Sequence, residues 1–221
     1  MERIVSFQLK SELEQALAQQ LHSDLKKALL TKGKASLLLS GGTTPSGVYE
    51  LLSKQALDWQ HVTVGLVDER FVDQSSPFSN ETLIRKSLLQ NNAALATLVP
   101  MVYEPSNEQL NLAQTNAAYQ AFRNADACLL GMGPDGHTAS LFPNDPATDL
   151  ALIGTEACYC TNAPTTPTQR ITCSRDLLVS VQHVYLMITG QEKLDVLAAS
   201  QQQQLPIAIF NPIIERIYFC Q

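Results

Sequence analysis

A mostly parallel, doubly wound α/β sheet flanked by helices is the fold this sequence predicts, as one domain over residues 1–221. Three observations lead there. Short apolar runs alternate with longer runs of helical periodicity, the pattern of parallel strands joined by crossover helices. Several of the apolar runs stop abruptly in glycine, proline or charge. The 221 residues are 45% hydrophobic and 16% charged, enough for a large packed core and too apolar for disorder.

Residues 3–8 (RIVSFQ) supply a first strand. Ser11-Glu12-Leu13-Glu14 reads as a capping box with Ser11 as the cap. It opens a helix whose Leu13, Leu17, Leu21, Leu25 and Leu29 recur on one face, and Gly33 ends it. Ala35–Leu39 is the next strand. It runs into Ser40-Gly41-Gly42-Thr43-Thr44-Pro45, where Thr44 suits the cap and Pro45 the first position of a helix through Val48, Leu51 and Leu52. Residues 62–67 form a β-branched strand that stops at Asp68-Glu69-Arg70. After a loop, Ser79-Asn80 opens a helix with Leu83, Ile84 and Leu88. Ser106 to Gln109 is a second capping box, and its helix is expected to bury Leu110, Ala113, Ala117 and Phe122.

Residues 127–130 are a buried strand broken by Gly131-Met132-Gly133-Pro134-Asp135-Gly136-His137. A short helical turn over 138–142 is expected next, closed by Pro143. The segment 143–170, with prolines at 143, 146, 164 and 167, reads as loop-rich with one strand near 157–161. A brief strand at 170–173 follows, then a helix from Ser174, a strand at 184–189 and a helix opened by Gly190-Gln191-Glu192-Lys193. The runs 207–210 and 216–220 supply one or two last strands.

Composition narrows the function. A net charge of −6 argues against a nucleic-acid surface but not against an anionic small molecule held by local cations. No apolar run approaches the roughly 20 residues of a membrane span, and Met-Glu-Arg-Ile-Val-Ser lacks the features of a signal peptide. Five cysteines, an odd number, suggest no disulfide framework, and Cys158-x-Cys160 has no histidine at ligand spacing. Reduced thiols, a cytoplasmic location and no bound metal are therefore expected.

If the strands are parallel, the loops 40–45, 68–70, 131–137 and 190–193 lie on one edge, where such sheets bind ligands. Gly41, Gly42 and Thr43 would present backbone N–H groups to an anion at a helix start, without the lysine of a Walker loop. Arg70 would face the site with Asp68 beside it. Lys193 sits in a first helical turn, where the dipole disfavours a cation unless an anion is bound. Asp135-Gly136-His137 offers a carboxylate and an imidazole two positions apart, suited to acid–base chemistry. Each has a plain alternative: a strand–helix turn, a solvated ion pair, a lysine reaching into water, a surface histidine. Ser140, in Ala139-Ser140-Leu141, lacks the G-x-S-x-G elbow of a nucleophile and is assigned a structural role.

Together these loops resemble those of the 6-phosphogluconolactonases, relatives of the glucosamine-6-phosphate deaminases. SGGTTPSGVYELL is similar to that family's phosphate loop and helix, and DERFVDQSSPFSN to its second motif. LLGMGPDGHTASLFP matches its most specific motif, while QRITCS and TGQEK resemble its C-terminal ones. Two departures are Asp73, where the family often has proline, and Thr165-Thr166-Pro167, where it has Lys-Pro-Pro. The resemblance implies a Rossmann-like fold and hydrolysis of 6-phosphoglucono-1,5-lactone to 6-phosphogluconate, the second step of the oxidative pentose phosphate pathway. It gives general-base duty to His137 and the phosphate to Arg70, Lys193 and the loop at Gly42-Thr43, with no metal or organic cofactor. Asp135 or Asp68 would orient the imidazole or bind sugar hydroxyls. Deaminases resemble the chain at the phosphate loop and Asp-Gly-His but continue with Phe-Asn-Glu-Pro, whose glutamate partners the histidine; here Ser140-Leu141-Phe142-Pro143 holds no acid. A non-catalytic sugar-phosphate sensor would need an attached DNA-binding module, for which the first strand leaves no room. A small-molecule lactone is thus the expected partner, and a monomer is favoured.

Overall fold

In the computed structural model, which describes residues 3–221, the apolar runs build two sheets. Strands and helices are numbered in chain order. The larger sheet has seven strands, ordered β1 (Ile4–Phe7), β10 (Ile214–Cys220), β9 (His183–Thr189), β6 (Ala127–Gly131), β2 (Ala35–Leu39), β3 (Val62–Leu66) and β5 (Thr97–Leu98). Every neighbouring pair is parallel, as predicted. The central strands are apolar almost throughout because both faces of a parallel sheet are covered. Helix α1 (Lys10–Lys32) lies against β1, β2, β6 and β10. It buries Leu13, Leu17, Leu21 and Leu25 and ends at Gly33, whose φ of 70° is the left-handed cap.

The chain order fixes where a ligand can sit. From β2 the chain passes through α2 (Ser46–Ser53) to β3 on one side, and from β6 it works outward to β9 on the other. Between the carboxyl ends of β2 and β6 lies the topological switch point, where open α/β sheets form their crevice. The loops 40–45 and 131–137 flank it.

The smaller sheet was not foreseen. Asp68–Arg70 is not a solvated loop but a strand, β4, antiparallel to β8 (Gln169–Cys173), which pairs with β7 (Cys158–Asn162). Its buried acid, Glu69, accepts from the backbone N–H groups of Arg70, Asn80 and Glu81, each at 2.7 Å, and from Ser79 Oγ at 3.0 Å. Two of those donors open α3 (Asn80–Ser87), which Ser79 caps as predicted. Burial pushes the Glu69 carboxyl above its usual range against the pull of these donors. Glu69→Ala orphans them, at about 1–3 kcal/mol for each group left unmatched. The variant is expected to unfold in urea with at least about 3 kcal/mol less stability, a drop read directly from the shifted midpoint.

Other elements differ from the sequence reading for local reasons. Ser11 does not cap α1: Leu9 does, with its N–H on Glu12 Oε2 at 3.3 Å, so the box is framed two residues earlier. Helix α2 starts at Ser46 with Pro45 as its cap, one residue later than Thr44 would give, because Ser46 turns back onto the Thr43 carbonyl. Helix α4 (Glu108–Tyr119) is capped by Asn107 rather than Ser106. Of the residues expected to be buried there only Phe122 is; Leu110, Ala113 and Ala117 face out. Asn111 and Thr115 turn inward instead, because they satisfy the backbone of Met101, Tyr103 and Glu104. Residues 138–142 form a tight turn with a Thr138–Leu141 bridge rather than a helical one, Ala139 having a φ of 49°.

Within 143–170 a helix was missed, α5 (Pro146–Ile153), with Asp145 accepting from Ala147 N–H and Pro146 at its first position. Helices α6 (Arg175–Val179) and α7 (Gln191–Ala199) open where predicted. Residues 207–210 belong to α8 (Pro206–Phe210), not to a strand, since Pro206 opens a helix there. No helix among the described residues is long and apolar enough to cross a membrane.

Candidate active site

The four loops meet around a cleft of about 230 Å³ at the switch point. Ser40, Gly41, Gly42, Thr44, Asp68, Arg70, Asn80, Gly133, His137, Arg170 and Lys193 line it, over a floor that includes Leu129, Leu130 and Met187. Most of the predicted site residues are therefore brought together. Thr43 is exposed and does not line the cleft; its neighbour Thr44 does. Asp135 stands behind His137 rather than on the wall.

At the loop after β2 the backbone turns through Gly42, whose φ of 87° few other residues adopt. The N–H groups of Gly41, Gly42, Thr43 and Thr44 have no acceptor among the described residues, which leaves this stretch as a ready anion cradle. Asn80 presses on it: a side chain at Gly41 would meet the Asn80 amide at 1.9 Å, and Asn80 Nδ2 donates to the Asp68 carbonyl at 3.0 Å.

At the loop after β6, His137 Nδ1 lies 2.5 Å from Asp135 Oδ1. Burial alone would raise the Asp135 carboxyl, but the His137 ring N–H, its charge and the backbone outweigh it and hold the group below its usual range. An ionised carboxylate only accepts, so Nδ1 carries a proton, and in the neutral ring Nε2 holds the lone pair. Gly133 makes room for the ring, since a Cβ there would sit 2.2 Å from it. The Phe142 ring packs against the imidazole in a tilted contact, centroids 4.6 Å apart. Of the two carboxylates considered, Asp135 is the one hydrogen-bonded to the imidazole. Asp68 instead faces the cleft from β4 with Oδ2 fixed by Ser140 Oγ at 2.6 Å. Ser140 is fully buried behind it, in the structural place expected.

Asp135→Asn tests the orienting bond. A hydrogen bond to a charged group is worth about 1.5–3 kcal/mol when buried, less here because these side chains are 30% and 39% exposed. Turnover is expected to fall about tenfold with little change in the Michaelis constant, as steady-state kinetics would show.

The cationic wall holds a residue that sequence reasoning missed. Arg170 on β8 stands opposite Arg70 on β4 in the antiparallel register. Burial, with the Arg70 charge beside it, lowers the Arg170 guanidinium from its usual value, against the opposing pull of Asp68 and Glu69. Arg170 Nε is held by the Pro167 carbonyl at 2.8 Å, and the guanidinium lies over the Phe142 ring at 5.7 Å. Arg70 Nη1 is held by the Phe78 carbonyl at 2.7 Å, while its Nε is buried without a partner among the described residues. Lys193, in the first turn of α7, makes no ion pair among them either. Two facing arginines, a lysine at a helix N-terminus and a row of free N–H groups are arranged to receive an anion with several oxygens. The Arg70–Arg170 pairing spans a hundred residues of sequence and leaves no local signal, although Arg170 lies in QRITCS.

Residues 8–219 match the sequence profile of the family described as glucosamine-6-phosphate isomerases/6-phosphogluconolactonase. The chain belongs to this family. Within the glucosamine-6-phosphate isomerase/6-phosphogluconolactonase family, similar relatives bear the second name. The 6-phosphogluconolactonase of Pseudomonas aeruginosa is 39% identical over 209 residues, covering 90% of this chain and 87% of that protein. That of Neisseria meningitidis is 37% identical over 204 residues, covering 89% and 88%. The crystal structure of a 6-phosphogluconolactonase from Shewanella baltica superposes with a TM-score of 0.94 at 34% identity, over 99% of this chain and 97% of that one. A monomeric glucosamine-6-phosphate deaminase superposes with a TM-score of 0.80 at 17% identity, which speaks for the shared fold alone.

Proposed function

We propose that this chain, acting as one α/β domain over residues 1–221, hydrolyses 6-phosphoglucono-1,5-lactone to 6-phosphogluconate in the cytoplasm. The observation that carries this reading over the deaminase one is the surroundings of His137. Its carboxylate partner is Asp135 inside the Gly-rich turn, and the Phe142 ring packs against it at the position where the deaminase motif has an acid. Such an imidazole is suited to draw a proton from water and to return it to a leaving oxygen. The relatives named above, over nearly the whole chain, support the same reading.

The chemistry follows from the cleft. Arg70, Arg170, Lys193 and the N–H groups of 41–44 hold the 6-phosphate and so place the lactone carbonyl beside His137. Water bound at Nε2 attacks the carbonyl carbon as His137 takes its proton. Collapse of the tetrahedral intermediate breaks the bond to the ring oxygen, which leaves with that proton. Asp68, with one oxygen committed to Ser140, offers the other to a sugar hydroxyl. No metal or organic cofactor enters these steps.

The test is a pH-stat or indicator assay with freshly prepared 6-phosphogluconolactone. Acid release well above the spontaneous rate, unaltered by exhaustive chelation, is expected. Ammonia release from glucosamine 6-phosphate without lactone hydrolysis makes the chain a deaminase instead.

A further inference from the structure

A lactonase needs more than a base, because negative charge builds on the carbonyl oxygen and is best met by a donor already aimed at it. Ser40, where β2 ends, is built to be one. It is 7% exposed, and what is exposed lines the cleft. Its N–H donates to the Leu129 carbonyl at 3.0 Å, and its own carbonyl accepts the buried Tyr49 hydroxyl at 2.6 Å. Its Oγ accepts the Gly131 N–H at 3.0 Å, and the Gly131 carbonyl is held by Thr138 Oγ1 at 2.8 Å. The side chain is thus fixed through an acceptor site only. A hydroxyl also carries one donor, and that of Ser40 has no acceptor among the described residues, which leaves it free for a group in the cleft.

That free donor sits beside the backbone segment that also carries the His137 contact. A Cβ on Gly131 would lie 3.9 Å from Ser40 Cβ, and one on Gly133 would lie 2.2 Å from the His137 ring. Ser40 and His137 therefore flank adjacent stations of the same backbone, two residues apart and so within about 7 Å along the chain. Both side chains line the same cleft.

We propose that the Ser40 hydroxyl is the side-chain oxyanion donor of this site, acting on the carbonyl oxygen of the lactone; this rests on the lactonase reading above. As the water oxygen bonds to the carbonyl carbon, the π pair moves onto the carbonyl oxygen. That oxygen accepts the Ser40 hydrogen bond, while His137 takes the water proton. Ser40 keeps its own proton throughout. When the pair returns, the bond to the ring oxygen breaks, the ring oxygen takes the proton from His137, and the new carboxylic acid ionises into solvent.

Ser40→Ala is expected to lower kcat for the phosphorylated lactone about a hundredfold. The Michaelis constant and the affinity for glucitol 6-phosphate, which has the phosphate but no carbonyl, should stay near wild type, while the melting temperature falls by a few degrees because the Gly131 N–H loses its acceptor. Ser40→Thr, which keeps the hydroxyl, should retain most of the turnover. A Ser40→Ala enzyme within threefold of wild-type kcat, after spontaneous hydrolysis is subtracted, overturns the proposal. So does a loss of kcat matched by an equal loss of glucitol 6-phosphate affinity, since that is what a residue merely holding the loop would give. If Ser40→Ala does not fold, Ser40→Cys keeps the volume with a weak donor. For it, a tenfold or larger loss of kcat at unchanged glucitol 6-phosphate affinity supports the assignment, and full activity overturns it. A wild-type chain inert toward the lactone removes the lactonase reading itself, a separate result from any of these.

Discussion

His137→Ala is expected to slow turnover of 6-phosphogluconolactone about 10²–10⁴-fold, the usual contribution of a positioned general base. The size follows from the geometry. Nδ1 is committed to Asp135 at 2.5 Å, so Nε2 is the ring nitrogen left for base duty, and no second histidine among the described residues lines the cleft. His22, His61 and His183 lie elsewhere, the last two paired with Asp58 and Glu215. His137→Gln should fare no better, because an amide fills the space without a basic nitrogen. Binding of glucitol 6-phosphate should be nearly unchanged in both variants, as the imidazole is not part of the cationic wall. Turnover within a few-fold of wild type, with the spontaneous reaction subtracted, would remove His137 from the chemistry.

What the sequence revealed and what it hid divide along a physical line. Parallel strands buried on both faces announce themselves as apolar runs, and β2, β3, β6 and β9 could be read without help. The loops at their carboxyl ends follow from the same topology, which places Gly41, Gly42, Asp68, Arg70, His137 and Lys193 at one edge, and all six line the cleft. The small antiparallel sheet was hidden because its strands carry charge and its pairing is non-local. Asp68–Arg70 looks like a loop until β8 is laid beside it, and Arg170 looks ordinary until it faces Arg70. Helix faces misled where polar residues do inward work: Asn111 and Thr115 bury themselves to satisfy a neighbouring backbone, which no hydrophobic pattern predicts. The missed helix α5 is different, since Asp145-Pro146 is a legible start that the surrounding prolines obscured.

Arg70→Ala, Arg170→Ala and Lys193→Ala should each raise the Michaelis constant for the phosphorylated lactone by roughly ten- to a hundredfold, from about 1.5–3 kcal/mol per charge-assisted contact. The two arginines should lie at the upper end. They face each other across a ladder with Asp68 and Glu69 to offset them, and Arg70 keeps a buried Nε without a partner among the described residues. A phosphate between them relieves a repulsion as well as forming bonds. Lys193 is a single flexible charge and should lie at the lower end. Arg70→Lys should restore only part of the loss, because a point charge does not reproduce a planar fork. Turnover should fall as well in Arg170→Ala, since Arg170 lies over Phe142 and Phe142 packs against His137. The decisive comparison uses unphosphorylated gluconolactone. Its slow hydrolysis should change far less than that of the phosphorylated substrate in Arg70→Ala and Lys193→Ala, so the preference for phosphate should shrink by about the factor lost in binding. Variants that keep the wild-type preference would mean that the phosphate is held elsewhere and that the facing arginines serve another anion.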